Sequence, residues 1–263
     1  MAAPTESHDY LHSLFAQSGR TAVVTGASSG LGAEMALALA RAGADVIAVA
    51  RREDRLLALA ESATSLAGTI THCVADLSGT EGVAKVARAV SEGGGCHVLV
   101  ANAGTAETGK VESMDDESFC RVLDLNLTAQ WRLAKALFQW LAESGAGRVI
   151  NISSIYGIAA PVRSGLVAYA ASKHGLVGLT RTQAVEWAEH GITANAIAPG
   201  YFPTEMTEQL LASAATRRLK QFVPMGRFGV VEELVPALLF LASPASSYVT
   251  GVVLPVDGGW SAW

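Results

Sequence analysis

Short apolar runs alternate with longer amphipathic stretches along this chain. Runs rich in Val, Ile, Ala and Thr occur at Thr21–Thr25, Val46–Ala50, Thr69–Val74, His97–Ala101, Arg148–Ile152, Thr193–Ala198 and Val252–Val256. Near-continuous runs of this kind predict strands buried on both faces. Between them, helical patterns occupy stretches such as Leu31–Ala42, Val83–Val90, Asp116–Glu143, Tyr169–Glu189 and Val231–Leu241. Gly43 stands at the end of the first, Gly145 and Gly147 at the end of the long middle one, and Gly191 at the end of the next. The alternation predicts an α/β fold: a doubly wound, seven-stranded parallel sheet with helices on both faces. No fixed-period repeat, low-complexity tract or Pro/Gly/Ser linker divides the chain, so residues 1–263 are expected to form a single domain.

Two segments break the rhythm. Met1–Ser18 is polar, lacks the basic start of a secretory signal, and reads as a leader. Leu11, Leu14 and Phe15 within it are spaced to give one helical turn against the body. Tyr201–Arg227 carries Pro203 and Pro224 around a polar, helix-like middle. A long excursion after a strand, at the edge where open α/β sheets bind ligands, is expected to act as a substrate lid.

Composition narrows the function. Half the residues are hydrophobic and 16% are charged, which excludes a disordered chain. Lys and Arg total 19 against 24 Asp and Glu, so the net charge of −5 gives no basic face for nucleic acid. Mean hydropathy is +0.32, yet no apolar stretch approaches the roughly 20 residues of a membrane span. Cys73, Cys96 and Cys120 have neither disulfide-framework nor zinc spacing. They read as reduced, buried thiols of a cytoplasmic protein, and no metal site is expected.

The segment Thr25-Gly26-Ala27-Ser28-Ser29-Gly30-Leu31-Gly32 runs from the first strand into the first helix. A helix N-terminus offers unpaired N–H groups and the positive end of its dipole, which suits a pyrophosphate. Gly26 allows the tight turn, Gly30 the approach of the backbone to the anion, and Gly32 close helix–strand packing. The end of the second strand discriminates between dinucleotides. An acid there holds ribose hydroxyls, whereas an arginine favours a 2′-phosphate. Here Ala50 is followed by Arg51 and Arg52, which favours NADP(H) over NAD(H). The competing reading pairs these arginines with Glu53 and Asp54 as solvated charge.

Tyr169 and Lys173 lie four apart at the start of a helix, on one face and one turn apart. A nearby ammonium stabilises phenolate, so Tyr169 is a candidate acid–base for a carbonyl or alcohol while a cofactor moves hydride. Ser153 and Ser154 follow the fifth strand and could hydrogen-bond the substrate oxygen. Asn126 interrupts an otherwise apolar helix. It predicts either a satisfied core amide or a backbone kink serving a proton path. Asn102-Ala103-Gly104 follows the fourth strand and is expected to line the cofactor cleft.

Together these pieces resemble the short-chain dehydrogenase/reductase family, a Rossmann fold. The likeness rests on Thr25-Gly26-x3-Gly30-x-Gly32, Asp76-Leu77, Asn102-Ala103-Gly104, Asn126, Ser154, Tyr169-x3-Lys173, Asn195 and Pro199-Gly200. It continues through Pro224-Met225-Gly226-Arg227 and Val249-Thr250-Gly251 to Val256-Asp257-Gly258-Gly259. The resemblance implies a tetrad of Asn126, Ser154, Tyr169 and Lys173. It implies a cofactor site that includes Ser28, Ser29, Leu31, Asp76 near the adenine, Leu77, and Lys173 on the nicotinamide ribose. Pro199, Gly200, Phe202 and Thr204 would follow the nicotinamide, and a homotetramer, or else a homodimer, is implied. The interval from Ser154 to Tyr169 is longer than in many members, which keeps Ser153 open and reshapes the wall at Ile155–Val167.

Three functional readings follow from that resemblance. One is interconversion of a small ketone and a secondary alcohol such as a sugar acid or polyol, with polar contacts from Tyr156, Arg163, Tyr201 and Glu205. Another is reduction of a 3-oxoacyl thioester on an acidic carrier protein. Arg132 fits the first expected docking arginine, but Val185 stands at the second. The third, a non-catalytic NADP(H)-binding sensor, goes with loss of the Tyr or Lys, and both are present.

Overall fold

The computed structural model describes residues 6–161, 165–208 and 215–262. Its strands are β1 Thr21–Thr25, β2 Asp45–Ala50, β3 Ile70–Val74, β4 Val98–Ala101, β5 Arg148–Ile152, β6 Thr193–Pro199 and β7 Val253–Val256. Each lies within one residue of its sequence-predicted bounds. All seven are parallel, in the order β3-β2-β1-β4-β5-β6-β7. The helices are α1 Glu6–Phe15, α2 Gly30–Arg41, α3 Glu53–Ser62, α4 Thr80–Glu92, α5 Asp116–Leu123, α6 Ala129–Glu143, α7 Val167–Glu186, α8 Ala215–Lys220 and α9 Val235–Ala242.

Successive side chains of a strand point to opposite faces, so each buried strand feeds two cores. Ala22 and Val24 of β1 join Met35 and Leu39 of α2 and Leu238 and Leu241 of α9. Val23, between them, joins Leu99 of β4, Val86 and Val90 of α4, and Leu133 and Leu137 of α6. These side chains are almost wholly buried, which explains apolar runs without polar alternation. Pro255 falls on the edge strand β7, where a missing N–H does least harm to the ladder.

The chain reverses its winding between β1 and β4, and their carboxyl ends open a crevice there. Thr25 stitches the two sides together. Its hydroxyl accepts from the N–H groups of Asn102 (2.9 Å) and Ala103 (2.9 Å), while Asn102 Nδ2 donates to the Thr25 carbonyl (2.8 Å). At the far edge Asn195 clamps β6 to the approach of β7, donating to the Val249 carbonyl (2.8 Å) and accepting from Val252 N–H (3.1 Å).

Several expectations need revision. The pattern Asp116–Glu143 is not one α-helix: a π-helical segment, Asp124–Thr128, separates α5 from α6 and contains Asn126. The pattern Val231–Leu241 begins as a 3₁₀ turn, Val231–Leu234, with Pro236 in the first turn of α9. Pro is tolerated there because the first N–H groups of a helix lack intrahelical partners. Leu11 is exposed on α1 rather than tucked in, while Leu14 and Phe15 are half-buried. Cys96 is buried and Cys73 half-buried, but Cys120 is exposed; all three are free thiols. Arg163 and part of the 201–227 segment, residues 209–214, lie outside the described residues. Among the described residues no helix is long and apolar enough to cross a membrane.

Candidate active site

The crevice between β1 and β4 holds a cleft of about 450 Å³. Its outer part is built by the turn from β1 into α2. Gly26 has φ of +67°, a left-handed conformation that lets the chain turn back over the sheet end. Gly32 packs so closely that a Cβ there would lie 2.2 Å from the Gly26 carbonyl oxygen. The N-terminus of α2 therefore faces the cleft at contact distance from the loop. Gly26, Ser28, Ser29, Gly30, Leu31 and Gly32 all line it.

The opposite wall comes from the ends of β2, β3 and β4. Arg51, Arg52, Asp76, Leu77, Asn102, Ala103 and Gly104 line this part. Asp76 accepts from the Ser78 N–H (3.0 Å) and hydroxyl (2.8 Å), and those bonds lower its pKa. Arg52 lies across the phosphate loop, donating to Ser28 Oγ (2.9 Å) and Ser29 Oγ (2.7 Å). Among the described residues Arg51 and Arg52 pair with neither Glu53 nor Asp54. Arg51 is 3.9 Å from Asp76, and Arg52 is 2.9 Å from Glu205.

At the inner end, β5 delivers Ser153 and Ser154, and the first turns of α7 deliver Tyr169 and Lys173. The structure separates the two serines. Ser153 Oγ donates to the Lys173 carbonyl (3.1 Å) and is spent on packing α7 against β5. Ser154 Oγ faces the Tyr169 phenol and accepts from Tyr156 N–H (3.1 Å). Lys173 Nζ lies 5.7 Å from the centre of the Tyr169 ring and donates to the Ile152 carbonyl (2.7 Å). Burial pushes the phenol up, against a smaller lowering by the nearby Ser154 hydroxyl. Burial also pushes the Lys173 ammonium down, to about 8. The arrangement can deliver a proton to, or remove one from, an oxygen held beside Ser154.

Asn126 does not line the cleft. It is fully buried one layer behind, where Oδ1 accepts from Thr105 N–H (2.8 Å) and Nδ2 donates to the Thr105 carbonyl (2.9 Å) and Ser172 Oγ (3.0 Å). Its amide fixes the backbone just after Gly104 and ties it to α7. Pro199, Gly200, Phe202 and Thr204 line the cleft from the end of β6 onward.

Residues that combine a glycine phosphate loop, a β4-end Asn-Ala-Gly and a Ser–Tyr–Lys group around one cleft match one family along nearly the whole chain. The family profile described as enoyl-(acyl carrier protein) reductase matches residues 26–261. The chain belongs to the short-chain dehydrogenase/reductase family. It is similar to the 2-dehydro-3-deoxy-D-gluconate 5-dehydrogenase of Escherichia coli (strain K12), 38% identical over 95% of this chain and 98% of that one. It also resembles the 3-oxoacyl-(acyl-carrier-protein) reductase of Thermotoga maritima, 36% identical over 92% of this chain and 97% of that one. A crystal structure of a gluconate 5-dehydrogenase from Burkholderia cenocepacia in complex with NADP and tartrate aligns with TM-score 0.91 and 33% identity. It covers 96% of this chain and 99% of that one. Like other members of the family named here, the chain is an oxidoreductase acting on CH–OH groups.

The fold places three of the expected substrate contacts elsewhere. Glu205, expected among substrate contacts with Tyr156 and Tyr201, instead faces Ser29, Arg52 and Arg55 at the outer end of the cleft. Tyr156 and Tyr201 are buried, joined hydroxyl to hydroxyl at 2.6 Å, and neither lines the cleft; Tyr156 packs against Trp260. Arg55 was absent from the sequence reading. Its signal was available: it stands three residues after Arg52, in the first turn of the helix that Arg52 caps.

Proposed function

We propose that this chain is an NADP(H)-preferring dehydrogenase that interconverts a small ketone and a secondary alcohol of the sugar-acid or polyol class. The observation that carries the reading is one cleft with Arg52 against the phosphate loop at its outer end and Ser154, Tyr169 and Lys173 at its inner end. The fit to a dinucleotide rests on the cradle itself. Glycine stands where a Cβ would collide, and a helix N-terminus faces the anion. Gly26, Ser28, Ser29, Gly30, Leu31 and Gly32 would hold the pyrophosphate, Asp76 and Leu77 the adenine, and Arg51 and Arg52 the 2′-phosphate. Asn102, Ala103, Gly104, Lys173, Pro199, Gly200, Phe202 and Thr204 would flank the nicotinamide ribose and ring. A nicotinamide dinucleotide bound there supplies the hydride chemistry.

The chain's own groups handle the proton. In reduction, the Tyr169 hydroxyl donates to the carbonyl oxygen as negative charge grows on it. In oxidation, the phenolate takes the hydroxyl proton. Ser154 holds that oxygen by a hydrogen bond, and the Lys173 ammonium beside the ring lowers the cost of phenolate. Asn126 positions the Gly104–Thr105 backbone and α7 rather than touching substrate. The intact Tyr169–Lys173 pair argues against a non-catalytic sensor.

The sugar-acid reading is favoured over carrier-protein reduction by one position. Val185, where a second docking arginine would stand, presents a solvent-exposed apolar side chain. We place the enzyme in the cytoplasm, as a homotetramer. The test is a panel of sugar acids, polyols, small diketones and 3-oxoacyl thioesters, read by nicotinamide absorbance with NADP(H) and NAD(H) side by side. A sugar acid or polyol should turn over, and Tyr169→Phe should abolish turnover by orders of magnitude with cofactor binding retained. Turnover confined to carrier thioesters, and lost in Arg132→Ala, would overturn the substrate reading.

A further inference from the structure

Glu205 belongs to the segment after β6, yet its carboxylate crosses the mouth of the cleft to the β2 side. Oε2 accepts from Ser29 Oγ (3.0 Å) and Arg52 Nη1 (2.9 Å), and Oε1 accepts from Arg55 Nη1. Two guanidinium groups and a hydroxyl converging on one anionic group is the donor set that recognises a phosphate monoester. The ligand in that set here is a side chain of the protein. All three charged side chains remain 39–47% exposed, so the carboxylate can exchange with an incoming anion through water. The three donors hold the Glu205 carboxyl down at about 2, which leaves it anionic at any working pH.

We infer that Glu205 is an internal counter-anion that occupies the 2′-phosphate site formed by Arg52, Arg55 and Ser29, and that it sets the margin between NADP(H) and NAD(H). The inference rests on the NADP(H) reading above and deepens it in two ways. Arg55 becomes a phosphate-binding residue alongside Arg52. Every 2′-phosphate ligand must displace Glu205 first, whereas a ligand without that phosphate leaves the pairs intact. The carboxylate also neutralises Arg52, at the N-cap of α3, and Arg55, in its first turn, which would otherwise repel each other in the free protein.

The experiment is equilibrium binding of NADPH and NADH by nicotinamide fluorescence, with 2′,5′-ADP and 5′-AMP as non-redox probes. It is run on the full chain and on Glu205→Gln, Arg52→Ala and Arg55→Ala. Glu205→Gln keeps size and polarity but removes the competing charge. It should tighten NADPH and 2′,5′-ADP about two- to fivefold, the range of one exposed ion pair, and leave NADH and 5′-AMP unchanged. Arg55→Ala and Arg52→Ala should each weaken NADPH about tenfold or more. If both arginine variants weaken NADPH but Glu205→Gln leaves it unchanged or weaker, the counter-anion is refuted while the phosphate site stands. Equal tightening of NADH and NADPH would likewise refute it, marking Glu205 as a general obstruction. If neither arginine variant affects NADPH, the NADP(H) reading itself fails.

Discussion

Tyr169 and Lys173 meet in a place that works against both charges. Burial raises the phenol and lowers the ammonium, so the neutral phenol is the dominant form near neutrality. Carbonyl reduction needs that protonated phenol and oxidation needs phenolate. We therefore expect turnover of the alcohol to climb as pH rises above neutral, while ketone reduction is already active near pH 7. pH–rate profiles in both directions check this; an oxidation rate that falls on leaving neutrality would exclude Tyr169 as the base. Lys173 makes a separate prediction about stability. Its native pKa, about 8, lies below the ordinary value of 10.5, so between those values the unfolded chain binds more protons than the native one. Stability from this group therefore rises with pH across that window. The melting temperature of the cofactor-free protein, relative to Lys173→Met, should improve from pH 8 to pH 10. A constant difference would mean that Lys173 titrates normally.

Helices and strands set the precision with which those side chains meet. The seating of α2 on the β1 turn is the clearest case, because a single methyl at Gly32 would overlap the Gly26 carbonyl. Gly32→Ala must push the helix N-terminus off the loop. We expect lost dinucleotide binding and a lowered melting temperature, both measurable without substrate. By contrast, α6 supports the sheet from beneath, through Leu133, Leu137 and Leu141, all fully buried. Leu137→Ala should cost about 2–5 kcal/mol in denaturant unfolding. Asn126 connects these elements. The π-helical segment that holds it swells the helix between α5 and α6, and its amide uses that displacement to reach Thr105 and Ser172.

At the scale of the molecule, the sheet order converts local features into one site. The glycine loop follows β1, Asn102 follows β4 and Ser154 follows β5, and these strands are neighbours in space. Ligands therefore meet the carboxyl ends of adjacent strands although the residues are scattered over the chain. The proposed homotetramer of a 27.3 kDa chain should sediment at about four times that mass. Analytical ultracentrifugation distinguishes this from a dimer or a monomer.

Much of the architecture was legible from periodicity. Strands buried on both faces leave unbroken apolar runs, and a phosphate loop needs glycine at fixed intervals, so β1 to β7 and the cleft-lining residues from Gly26 to Thr204 could be read locally. The alternatives that the linear pattern left open were decided by packing. Adjacent serines look alike in sequence, yet strand β5 turns Ser153 toward the α7 backbone and Ser154 toward Tyr169. Asn126 could have faced the cleft or the core; the π segment took it to the core. Arg52, Arg55 and Glu205 come from segments about 150 residues apart, and only the tertiary fold brings their charges together. Local periodicity, the steric demand of a tight turn and the burial of apolar side chains act between near neighbours, so the seven strands and the glycine cradle were readable along the chain, whereas the π-helical break at Asp124–Thr128 was not. Which polar groups face one another depends on long-range closure of the sheet, and that the tertiary structure alone decided.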